Sequence, residues 1–214
     1  FLAATDNTKG RERPKADFSS INEGYKTKRD ALLSDYDNSS TSTNTDKPGK
    51  VDSGASTAPT SSTTGEGVST GWGKWSRLIR AGEGTSGNTG YNTMFTGSQF
   101  SDTSKHPRQI NSSNGLSSDA AGAYQFLSTT WDGAKNALGL TDFSPESQEK
   151  AGKYLAQKRG LQTDTVFTDK TSFLKELDKI APEWASMPTL STGTSYYGQG
   201  GLTPDEAWRI YNGN

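Results

Sequence analysis

The chain has 214 residues, enough for one ordinary domain and an extension. Only 29% of them are hydrophobic, low for a chain packed throughout, so part of it is expected to lack a core. A net charge of −1 leaves no basic surplus for nucleic acid or an anionic membrane. The absence of cysteine excludes disulfides and thiolate metal sites. A single histidine, His106, excludes a multi-histidine zinc centre, and no metal is expected. A Ser-His-Asp triad would have to use His106, and no strand–GxSxG–helix pattern supports one. No apolar run approaches the roughly 20 residues of a membrane span. The chain starts at Phe1 rather than Met, without a basic-then-apolar leader, which points to a processed start or a piece of a longer chain.

Three segments of different character follow in order. In residues 1–37, Ile21, Tyr25, Leu32, Leu33 and Tyr36 share one helical face, with Ser20 as a possible cap and Gly24 against it. Such a face either packs on its own domain or docks in the groove of a partner. Residues 38–70 are almost all Ser, Thr, Gly, Pro, Asn and Asp, and bury too little apolar surface to offset ordering entropy. They read as a flexible tether. Residues 71–214 read as a mostly helical α+β domain with one small β-hairpin.

Within that domain a first helix is expected near Thr70–Gly82, with Trp72, Trp75, Leu78 and Ile79 on one side. YNTMFTGSQF is β-like, with Thr96-Gly97-Ser98 as its turn. A helical segment is expected over Asp119–Leu127, and another helix over Thr130–Leu138, stopped by Gly139. Ser144 and Pro145 open the next helix, which Gly160 ends. Leu174, Leu177 and Ile180 mark a helix over Thr171–Ile180. Thr203-Pro204-Asp205-Glu206 is a capping box that starts the last one.

Glu83 stands between Gly82 and Gly84 where the first helix ends. A helix C-terminus carries partial negative charge, which disfavours a carboxylate and raises its pKa. The flanking glycines would let a bulky sugar approach the backbone. A glycosidic oxygen needs a donor still protonated near neutral pH. The plain alternative is a solvated glutamate in a loop.

The ordered segments GEGTSGNTGYNTMFTGSQFSDTSKHPRQI, DAAGAYQFLSTTWDGAKNALGLTDFSPESQEKAGKYLAQKRG, APEWASMP and YYGQGG resemble the phage lambda endolysin family, glycoside hydrolase family 104 of the lysozyme-like superfamily. The resemblance spans roughly Trp72–Gly201 and implies a lysozyme-like fold with no cofactor. It implies a lytic transglycosylase acting on peptidoglycan at the β-1,4 bond from N-acetylmuramic acid to N-acetylglucosamine. The residue matching the family's catalytic acid is Glu83. The Gly/Ser/Thr stretch before YYGQ and the C-terminal tail depart from the family pattern.

Asp102 is the candidate for a second carboxylate of the kind a hydrolase needs; otherwise it closes an Asx-turn or pairs with Lys105 or Arg108. His106 either shapes the loop before Pro107 or takes part in catalysis. By resemblance, Tyr124 and Gln125 form one sugar-facing wall, with Gly122 admitting the glycan, and Tyr197 and Gln199 form a second. Tyr124 and Phe126 read equally as core residues.

An N-terminal arm has no use in a freely diffusing lysis enzyme. The expected carrier is therefore a phage virion, as a tail or internal capsid component, with residues 1–70 bound to other phage structural proteins. The alternatives are a lysozyme-type hydrolase, a catalytically inactive structural or glycan-binding virion protein, and a free endolysin, the last disfavoured by residues 1–70.

Overall fold

The computed structural model describes residues 70–113, 115–196 and 201–214. The helix expected in residues 1–37 and most of the expected tether lie outside the described residues. Thr70, the last residue assigned to the tether, belongs to the domain: its Oγ1 accepts from the Gly73 N–H and caps helix α1, Gly71–Gly82. One face of α1 buries Trp72, Trp75, Leu78 and Ile79, the four apolar residues that its spacing singled out.

A two-stranded antiparallel hairpin follows, β1 (Asn111–Ser113) and β2 (Leu116–Ser118), with Asn111 opposite Ser118. Then come α2 (Ser128–Leu138), α3 (Pro145–Lys158), α4 (Lys170–Ile180) and α5 (Pro204–Asn212). The caps follow the sequence. Ser144 accepts from Ser147 N with Pro145 at the first position. Thr203 and Glu206 complete the capping box of α5. Asp169 caps α4, which begins one residue before the expected start.

The core is aromatic. Trp75 stacks on Phe173 at 5.2 Å between centroids and lies 4.8 Å from Tyr211, which joins α1, α4 and α5. Arg77 ties the same contact together from outside: its Nε and Nη2 donate to the Ile210 and Tyr211 carbonyls at 3.0 and 2.7 Å, at the end of α5. On the other side Trp131 meets Phe143 edge-on at 4.6 Å, joining α2 to the loop before α3. No helix among the described residues is long and apolar enough to cross a membrane.

Two expectations change. The 91–100 region does turn at Thr96–Gly97, with Thr93 bridged to Gln99, but it is built of short 3-10 turns, and the hairpin lies further on, in Ser-rich residues. The expected helix over 119–127 is instead a tight turn in which Ala121 and Phe126 exchange both backbone hydrogen bonds. Ala121, Ala123, Tyr124 and Phe126 are all buried, which no single helical face could achieve at that spacing. Gly122 at φ +80° and Gln125 at φ +48° make the reversal.

Candidate active site

Glu83 is the C-cap residue of α1, with φ −78° and ψ −2° and its N–H on the Ile79 carbonyl at 2.9 Å. The residue keeps some contact with solvent, while protein crowds the carboxyl group itself. Burial pushes its pKa up to about 7, against the hydrogen bonds from Ser186, which favour the charged form. The Ser186 hydroxyl donates to Oε1 at 2.6 Å. A carboxyl so placed holds a proton near neutral pH and can also take one back, the requirement for acid–base chemistry at a glycosidic oxygen.

The flanking glycines serve different ends. A Cβ on Gly82 would meet Met187 Cε at 2.4 Å and Ser186 Oγ at 2.6 Å. Gly82 thus lets the 184–188 segment close over the helix end and brings Ser186 to Glu83. Gly84, at φ +69°, has open space where a side chain would be, compatible with the close approach of a sugar. Beyond it Thr85 is buried and donates through Oγ1 to the Ala123 carbonyl at 2.5 Å, pinning the loop after Glu83 to the 121–126 turn.

The remaining expected site residues separate. Asp102 is exposed, and its Oδ1 accepts from Ser104 N at 2.9 Å. This is an Asx-turn, which holds its carboxyl below the usual range. His106 is buried beneath the turn: Nε2 faces the Phe126 carbonyl at 2.9 Å and Nδ1 accepts from Arg108 N at 3.1 Å. It is a neutral, structural histidine, with its pKa lowered by burial.

Tyr124 is 1% exposed, so it belongs to the core rather than to a sugar-facing wall. Its hydroxyl is spent internally, at 2.7 Å from both Ser76 Oγ and Glu149 Oε2. Gly122 likewise admits no glycan: a Cβ there would meet Gln148 Oε1 at 2.3 Å. Gln125 is half-buried, with Nε2 donating to the Thr93 and Gly122 carbonyls at 3.0 and 2.9 Å. Tyr197 and Gln199 lie outside the described residues. No group of three or more His, Cys, Asp or Glu able to hold a metal occurs among the described residues.

Three polar residues that matter were not singled out by sequence. Ser186 lies in APEWASMP, 103 positions from the group it bonds. Gln148 and Glu149, in SPESQEK, turn inward from α3. Gln148 accepts from Ala123 N at 2.8 Å and donates to the Tyr91 and Phe143 carbonyls. Glu149 accepts from Trp72 Nε1 at 2.9 Å, Ser76 Oγ at 3.2 Å, and the Tyr91 and Tyr124 hydroxyls, each at 2.7 Å. The only advance signal was two consecutive polar residues on the side of α3 where Ala151 and Leu155 are buried.

Comparison with known proteins agrees with this architecture. The endolysin family model matches residues 75–213, within the domain read from the sequence. The endolysin of Escherichia phage lambda is 35% identical over 120 residues, covering 56% of this chain and 74% of the relative. That of Escherichia phage P2 is 29% identical over 132 residues, covering 54% and 78%. A bacteriophage lambda lysozyme solved with a chitohexasaccharide superimposes with a TM-score of 0.56 at 30% identity, covering 65% of this chain and 90% of that one. These relatives are endolysins, not virion components, which overturns the expectation of a place in the phage tail or capsid. That expectation rested on residues 1–70, an apolar helical face and a polar tether, and neither pattern carries an address. With a lysozyme fold, a buried acid at the end of α1 and the family match over most of the domain, the chain belongs to the endolysin family and is a peptidoglycan-cleaving enzyme of the lysozyme type.

Proposed function

We propose that the chain is a lytic transglycosylase in which Glu83 acts twice. The carboxylic acid first protonates the glycosidic oxygen between N-acetylmuramic acid and N-acetylglucosamine, and the C1–O bond breaks. The resulting carboxylate then takes the proton of the muramic acid 6-hydroxyl as that oxygen bonds to C1. The product ends in a 1,6-anhydro sugar, the acid is regenerated, and no water is consumed. The observation that carries this reading is the crowded Glu83 carboxyl, pushed to about 7 and poised to give and to recover one proton at neutral pH. The Asx-turn of Asp102 supports it, since that carboxylate is committed to its own loop rather than to water activation.

Gln125 remains a substrate-binding residue in this reading. Its Nε2 is engaged by two carbonyls, so Oε1 is the atom that would accept from a sugar N-acetyl N–H. Tyr197 and Gln199 are kept as the second wall. Residues 1–37 and the linker from residue 38 up to Thr70 are read as an arm not required for cleavage, Thr70 itself staying with the domain as the cap of α1.

The test is digestion of purified peptidoglycan followed by mass spectrometry. Muramic ends lighter by one water than hydrolytic ends are expected. Reducing-end muramic acid alone would mean a hydrolase and would return a second carboxylate to the mechanism.

A further inference from the structure

Arg80 lies one turn before Glu83 and grips the loop that follows it. Its backbone carbonyl accepts from Thr85 N at 2.8 Å. Its Nη2 donates to the Thr85 carbonyl at 3.3 Å and the Gly87 carbonyl at 2.5 Å. One residue therefore holds the loop from both its main chain and its side chain. The guanidinium is itself held: it lies 4.3 Å from the Tyr91 ring centroid, and Nη1 donates to the Tyr91 hydroxyl at 3.0 Å. Tyr91 passes that bond on to Glu149 Oε1 at 2.7 Å, which is also 3.9 Å from Nη1.

We propose that Arg80 is the positioning residue of the catalytic loop, oriented by Tyr91 and Glu149, and that it fixes the Glu83 carboxyl against the glycosidic oxygen. This rests on the reading of Glu83 as the acid. The chemistry of the clamp is particular to arginine. Two loop carbonyls, a phenol and a carboxylate are met by one planar fork, which a lysine ammonium on a flexible stem cannot span. The arrangement also leaves Arg80 Nε buried with no partner among the described residues. An unmade bond of that kind is destabilising, so the residue is poorly explained as a device for stability alone. Holding the reacting group in place is where such a cost is repaid, because small misplacements of a catalytic group reduce turnover steeply.

The experiment compares the full chain with Arg80→Lys, Tyr91→Phe and, as a reference, Glu83→Gln. Initial rates on purified glycan strands are measured over a range of substrate concentrations, alongside thermal unfolding. Arg80→Lys is expected to lower kcat by roughly ten- to a hundredfold with KM within about twofold, since the loop is loosened but the glycan surface is unaltered. Tyr91→Phe keeps the ring under the guanidinium and loses only the hydroxyl relay, so it should lower kcat by a smaller factor in the same direction. Should Arg80→Lys fold poorly, Tyr91→Phe decides alone. Unchanged kcat in a well-folded variant, a rise in KM without loss of kcat, or a loss of kcat matching the unfolded fraction would overturn the proposal. Activity surviving in Glu83→Gln would strike the underlying reading instead.

Discussion

Glu83→Gln tests the site through stability as well as activity. The Glu83 carboxyl titrates near 7 in the folded protein, above the ordinary value of 4.5. Below about pH 4.5 it is protonated in both folded and unfolded chains, so burial is not penalised electrostatically. As pH rises the unfolded chain ionises first, and the folded state loses stability until its own carboxyl ionises near pH 7. The full penalty, present above that, is roughly 3 kcal/mol at 1.36 kcal/mol per unit. Partial solvent contact of the residue reduces this to ~1–3 kcal/mol. An amide has no such titration and can still accept from Ser186. Glu83→Gln should therefore melt about 3–10 °C above the parent at pH 8 and nearly with it at pH 4, for a domain of this size. It should also abolish glycan cleavage, since the amide transfers no proton. Thermal unfolding by circular dichroism at the two pH values reads the first effect, and peptidoglycan digestion the second. An equal melting difference at both pH values would refute the buried-acid argument.

Other substitutions probe the same geometry. Ser186→Ala removes a donor that favours the ionised form of Glu83, so the basic limb of the kcat/KM profile should move to higher pH; no movement would mean that Ser186 does not set the acid. Asp102→Asn should leave peptidoglycan cleavage within a few-fold of the parent, because an asparagine can close the same turn; a loss approaching that of Glu83→Gln would reinstate a second carboxylate. Gly122→Ala should lower stability by at least ~1–3 kcal/mol in denaturant unfolding, since the new methyl strikes Gln148 Oε1 and Phe143 Cζ at a positive φ.

Much of the architecture was legible because it is local. Ser144-Pro145 and Thr203-Pro204-Asp205-Glu206 satisfy the first N–H groups of their own helices, and the aromatic and aliphatic spacing in α1 defines its buried face without reference to any other segment. The position of Glu83 at a helix end between glycines is of the same kind. The turn at 119–127 is not legible as a turn because its conformation is imposed from a distance: Gln148 pins Ala123 N, and the small Ala and Gly residues permit a reversal that local propensity does not reveal. Tyr124 carries the same chemistry whether it faces sugar or core, and only the inward carboxylate of Glu149 makes its hydroxyl an interior group. The pKa of Glu83 was likewise a tertiary outcome. The sequence set Glu83 at a helix terminus, but burial raises its pKa and a serine 103 residues away tempers it, within reach because Gly82 has no side chain. Capping and periodicity act within a turn or two of the chain, whereas desolvation and buried hydrogen bonds depend on what the rest of the fold brings alongside.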